Sequence, residues 1–270
     1  MNTFKEHVRS NLSESRASFF VYLAVNMITI CFAILSIIRS NPGHFFLCLT
    51  SIGLYTLPTL IPTIFRMYVP PLFRAILYLF ILSSQTLGEL AHFYIYVPFW
   101  DTSLHILSGF LCAAYGLALV YLLNRDKKIE LNIFFLLLAS MGITMLIAAG
   151  WEIFEFSMDH FGLFDMQKDY IVPQISSVKL GLTEQGEPLR IFNISRTIVE
   201  TADGRSIVID GGYLDIGITD TMKDLINNFL GGFAFCILAF LALKKHKPIK
   251  ILSQLIITPS EWHDKRHRSY

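Results

Sequence analysis

Apolar residues dominate the chain in long, nearly unbroken runs, and each run is about the length that a helix needs to cross a bilayer, roughly 20 residues. Six runs qualify: Phe19–Ile38, Phe45–Phe65, Ala75–Tyr96, Leu104–Leu123, Ile133–Phe154 and about Asp220–Leu243. Pro58 and Pro62 inside the second predict a kinked helix there. The pattern predicts an all-α polytopic membrane protein with about six transmembrane helices. Its order is an amino-terminal segment (1–18), helices one to five (19–156), a long loop (157–219), helix six (220–243) and a basic tail (244–270). Within the loop, two β-branched runs in "RTIVETADGRSIVID" flank Ala202-Asp203-Gly204 and predict a β-hairpin.

Composition sharpens this picture. The chain is 53% hydrophobic and 16% charged over 270 residues, with a mean hydropathy of +0.52. Soluble domains carry about 25% charge. Between Ala17 and Leu123 the only charged side chains are Arg39, Arg66, Arg74, Glu89 and Asp101. A soluble enzyme, a disordered chain and a secreted disulfide scaffold are excluded, and a net charge of +1 gives no reason to expect nucleic acid as a partner. The partner expected is membrane lipid. The four cysteines lie in apolar stretches with no C-x-x-C pair and read as packing residues.

Lys and Arg favour the cytoplasmic side of short loops. Fifteen lie in the two termini and the loops after helices two and four, against Arg39 alone in the opposite short loops. Both termini are therefore expected in the cytoplasm, with 157–219 external.

The polar residues inside the spans fall at helical spacing. Gln85, Glu89, His92 and Tyr96 share one face of the third helix, and Asp101, His105, Ser108 and Cys112 one face of the fourth. Glu152, Glu155 and Asp159 do so on the fifth. Asp220, Asp224, Asn227 and Gly231 do so on the sixth, with Asn228 alongside. All four faces are expected at the outer helix ends. Asp101 and Asp220 also stand where helix N-caps belong. Glu89 and Glu152 stand near helix carboxyl ends, where the dipole opposes their charge, so they read as functional. Glu89, Asp101, Glu152, Glu155, Asp220 and Asp224 make six carboxylates, and with Lys223 the only nearby Lys or Arg in the helices they call for protons, a metal ion or a cationic ligand. A divalent ion (Mg, Ca, Mn or Zn) is expected on Asp101, His105, Glu155, Asp220 and Asp224. Glu89 and Glu152 are the candidate catalytic bases, supported by His92 and Asn228. Gly109, Gly116, Gly231 and Gly232 are expected to permit close helix packing.

The blocks "GELAHFY", "WDTSLHILSGF", "WEIFEF" and "LDIGITDTMKDLINNFLGG" together resemble the YjdF-like family of bacterial inner-membrane proteins. The resemblance implies a multi-spanning fold in the bacterial plasma membrane and no assigned activity. Asp224, Asn228, Gly231 and Gly232, after an acidic segment, are also similar to a block of VanZ-like membrane proteins. The functions that follow are a metal-assisted enzyme acting on a lipid head group or lipid-linked substrate, a cation- or proton-coupled carrier, or an accessory membrane subunit.

Overall fold

The computed structural model describes residues 15–123, 131–162, 165–181, 186–244 and 254–259. The expected segments 1–18 and 244–270 lie largely outside these residues. Six described helices or helix pairs are long and apolar enough to cross a membrane. The chain divides into two compact units, 1–148 with 226–270, and 149–225.

The first unit starts with α1 (Arg16–Ile38), whose N-cap Ser15 accepts the Ser18 N–H. The second span is two helices, α2 (Pro42–Leu54) and α3 (Leu57–Phe65). The break is where Pro58 requires it: the proline has no N–H to offer and its ring meets the carbonyl of Leu54, the last residue of α2. The third span also departs from a plain helix. α4 (Pro71–Ile81) runs into a π-helical stretch, Leu82–Leu90, closed by a bond from Ala91 N–H to the Thr86 carbonyl. The short α5 (Phe93–Tyr96) follows after His92, whose φ is +58°. Trp100 donates its indole N–H to the Ser83 carbonyl at 3.2 Å.

α6 (Trp100–Leu123) carries the unit's central core. Leu111, Ala113, Ala114 and Leu117 pack with Phe73, Leu136 and Phe235. The last two belong to α7 (Ile133–Gly162) and α8 (Ile218–Lys244). Small residues set the helix separation. A Cβ on Gly231 would stand 1.8 Å from the Ile106 carbonyl oxygen, and one on Gly109 2.0 Å from that of Asn228. α6 and α8 therefore touch backbone to backbone, as the glycine spacing predicts. Ser140 of α7 donates to the Ala113 carbonyl at 2.6 Å. Elsewhere the helices present large apolar side chains outward, Phe20, Phe46 and Leu146 among them. In a bilayer this is the surface that lipid covers.

Two features of this unit have no clear sequence signature. A buried hydroxyl cluster links α1, α2 and the π-helical stretch: Thr29 Oγ1 lies 3.0 Å from Tyr55 Oη and 3.3 Å from Thr86 Oγ1. The other is a return of the tail. β1 (Met67–Tyr68) pairs antiparallel with β8 (Thr258–Pro259), and Ile257 is 1% exposed in the core beside Val69 and Phe73. Removing a buried isoleucine side chain costs about 2–5 kcal/mol. Ile257→Ala is expected to cost about 2 kcal/mol, near the lower bound because the short segment can detach. A lowered thermal midpoint and faster proteolysis of the tail would show it.

The second unit holds the end of α7, the loop and the start of α8. The predicted hairpin is present: β5 (Arg196–Glu200) pairs with β6 (Ser206–Asp210), Arg196 opposite Asp210. Gly204 takes φ +85° in the turn, a conformation that favours glycine. Four shorter strands form two further antiparallel pairs. β2 (Ile171–Val172) pairs with β7 (Tyr213–Leu214), and β3 (Ile175–Ser177) with β4 (Leu189–Ile191).

Candidate metal centre

His105 is the best-positioned polar side chain of the first unit. Its Nδ1 lies 3.0 Å from Asn228 Nδ2 and its Nε2 3.4 Å from Asp101 Oδ1. The helix contact explains this. His105 is one turn before Gly109 on α6, and Asn228 is one turn before Gly231 and Gly232 on α8. With no Cβ to hold the backbones apart, a histidine reaches the amide across the seam. Its side chain is 13% exposed and that of Asp101 40%. Asp101 stands in the first turn of α6, where a carboxylate suits the helix dipole.

The buried face of α8 runs through Asp220, Asp224, Asn228, Gly231, Gly232 and Phe235. Asn228 rather than Asn227 belongs to it, a difference of one residue in helix phase. The third-helix face is not retained. A π-helix spreads each turn over more residues, so Thr86, Gly88 and Leu90 turn inward while Glu89 is exposed. His92 is exposed as well, its ring 6.4 Å from those of His44 and Tyr96.

In the second unit the acids have local partners. Trp151 donates its indole N–H to Glu155 Oε1 at 2.8 Å. Asp159 accepts the N–H groups of Met166 and Gln167 at 2.6 and 2.8 Å, and Asp220 that of Lys168 at 2.8 Å. Asp215 accepts those of Tyr170 at 2.8 Å and Thr219 at 3.0 Å. Three carboxylates thus pin the backbone of 166–170, and Asp215 rather than Asp220 caps the start of α8. Lys223 lies 3.5 Å from the centroid of the Tyr170 ring. Of the carboxylates that the sequence presents as needing a cation, Asp220 thus takes a backbone N–H and Glu155 an indole N–H.

Burial pushes the Asp215 carboxyl up. The bonds from the Thr219 side chain and from the backbone of Tyr170, Thr219 and Gly217 outweigh it and hold the group below the usual aspartate range. A depressed folded pKa means that its contribution is complete above the unfolded value, near 3.9. The contribution is lost as pH falls through the folded value. Hydrogen exchange at Tyr170 and Thr219 should accelerate on acidification below about pH 4, and Asp215→Asn should remove part of that step.

Glu152 is 4% exposed and lines a groove of about 290 Å³ with Phe156, Gln167, Ile216, Ile218 and Thr221 among its other walls. Gln167 donates its side-chain amide to the Thr221 hydroxyl. Sequence reading marked Glu152 but missed Gln167 and Thr221. Neither has a spacing that sets it apart from any other polar residue near a helix end.

Six apolar helices with small strand pairs outside them define a multi-pass membrane protein of the all-α class. Within that class, the family described as "Predicted membrane protein (DUF2238)" has a model that matches residues 20–245, and the chain belongs to it. This is the YjdF-like family that the sequence blocks resemble. The likeness to VanZ-like proteins gains no support from it. No curated protein and no solved structure matches the chain.

Proposed function

We propose that this is a cation-dependent membrane protein in which Asp101 and His105 hold a divalent ion that works as a Lewis acid on a lipid head group or lipid-linked substrate. The observation that carries the reading is the His105 ring, fixed between Asp101 and Asn228 at a glycine-lined helix contact. Asn228 then acts behind the ligands. With its amide turned so that Oδ1 accepts the Nδ1–H, Nε2 is left as the electron-pair donor toward the ion, the usual arrangement behind a metal-bound histidine. A carboxylate with an imidazole suits Mn or Zn better than Mg or Ca. Glu152 remains the candidate general base, while exposed Glu89 and His92 are assigned no part in this centre. A chelator should lower the thermal midpoint of the purified protein, and added Mn or Zn should restore it. Asp101→Asn should weaken the response.

A second reading, the proton- or cation-coupled carrier, draws support from the buried Thr29–Tyr55–Thr86 hydroxyls, which put polar atoms among the apolar helices of the first unit. In either reading the bacterial plasma membrane is the setting, with both termini cytoplasmic. Reporter fusions at Asn124 and Gly186 are expected on opposite sides; the same side would overturn the orientation.

A further inference from the structure

We propose that the outer edge of the β5–β6 hairpin is a self-association surface, where two copies of this chain join β5 to β5, antiparallel about Ile198, into one four-stranded sheet. The hairpin lies in the second unit and pairs with no other strand among the described residues. Gly211 N–H bonds to the Ser195 carbonyl and Thr201 N–H to that of Arg205. Along an antiparallel pair, the residues whose backbone faces the partner alternate with those whose backbone faces away. Ser195, Thr197, Val199 and Thr201 therefore spend their backbone groups on β6, and Arg196, Ile198 and Glu200 aim N–H and C=O at the open edge. Such an edge is a template for another strand. The hairpin is also apolar beyond what its own pairing covers: Ile198 is 50% exposed, and Val208 across from it 51%. A two-stranded hairpin by itself is marginal in water, and further strands stabilise it.

The charges on β5 choose the occupant. The strand reads Arg-Thr-Ile-Val-Glu, with a cation at one end, an anion at the other and an isoleucine at its midpoint. An antiparallel copy about Ile198 sets Arg196 against Glu200 of the second copy, Glu200 against its Arg196, and Ile198 against its Ile198. These are the residues whose backbone faces the edge, so in this register every open N–H and C=O from Arg196 to Glu200 finds a partner. Opposite charges directly across a strand pair attract, and like charges repel. An in-register parallel copy sets like charge against like. β6 lacks this self-complementarity, because its own antiparallel copy about Val208 sets Asp210 against Ser206. On one face, the joined sheet carries Val208 and Ile198 of each copy as a continuous apolar row. The same residues are used on both copies, so the contact closes as a two-fold dimer.

This inference does not rest on the metal centre. Ile198→Cys and Val208→Cys test it in the full-length protein, in native membranes with an added oxidant. The wild type, with its own four cysteines, is the background. Facing residues in a hydrogen-bonded antiparallel pair have Cα atoms about 5.5 Å apart, within disulfide reach. The two Val208 positions lie three strand spacings apart, about 14 Å, which is beyond it. Ile198→Cys is expected to give a disulfide-linked dimer, and Val208→Cys no more than background. Glu200→Lys, added to Ile198→Cys, sets cation against cation at both ends and should lower the linked fraction about tenfold. Glu200 is exposed and faces Ser206 in its own hairpin, so this change leaves the fold intact. A chain with Ile198→Cys, Arg196→Glu and Asp210→Lys keeps opposite charges inside its hairpin. Expressed together with the Glu200→Lys chain, it should restore linking between the two. No link through Ile198→Cys, an equal link through Val208→Cys, a link indifferent to Glu200→Lys, no rescue in the mixed pair, or a link to a different protein would each overturn the proposal.

Discussion

Gly231→Ala is expected to be among the most damaging single-methyl changes in this protein. The added Cβ would stand 1.8 Å from the Ile106 carbonyl oxygen and 3.0 Å from the Phe110 nitrogen, both backbone atoms that no rotamer change can move aside. α6 and α8 must part by more than an ångström, and the packing of Leu111, Phe110 and Phe235 parts with them. Overpacking of this kind costs about 3 kcal/mol, and the helix-propensity gain of alanine, about 1 kcal/mol, offsets only part. Gly142→Ala is the control. Nothing stands within 4 Å of its added Cβ, so it should be neutral or slightly stabilising. Thermal unfolding of both variants in the same detergent checks the contrast. Equal midpoints would mean that the two helices are not in backbone contact.

His105→Ala is expected to have the largest effect on ion binding. It removes the imidazole, and it also removes the group that ties Asp101 to Asn228. An affinity loss of at least about 100-fold is expected, against about tenfold for Asn228→Ala, which leaves the ligands and removes only their orientation. Titration of the purified variants with Mn or Zn, followed calorimetrically, measures both. If Asn228→Ala and His105→Ala are both silent, the ring is a packing element of the helix seam and nothing more.

Much of the fold is legible from hydropathy, because a run of about 20 apolar residues has few other uses. The errors lie at the ends of the runs. α7 continues through polar Ser157, Asp159 and His160 to Gly162, and α6 begins at Trp100 rather than Leu104. Hydropathy cannot see a helix that carries on after it leaves the apolar layer. The third span misled more seriously. Spacing arguments assume 3.6 residues per turn, and the π-helical winding of Leu82–Leu90 moves Glu89 off the face on which that period puts it. The return of Ile257 to the core was not legible, since the short apolar run Leu255–Ile257 beyond a lysine-rich stretch does not name its partner in the chain. In the candidate centre, the i,i+4 relation of Asp101 and His105 and the close packing at Gly109 and Gly231 were legible. The service that Asp159, Asp215 and Asp220 give to backbone N–H groups was not, because a backbone donor leaves no mark in the side-chain sequence.

The most direct test of the central claim is elemental analysis of the purified full-length protein. The protein is stripped with chelator, reloaded with Mn or Zn and freed of excess ion, and wild type is compared with His105→Ala. The account predicts one tightly held divalent ion per wild-type chain and essentially none in the variant. A wild type that retains no ion after reloading, or a His105→Ala chain that retains as much as wild type, would contradict it.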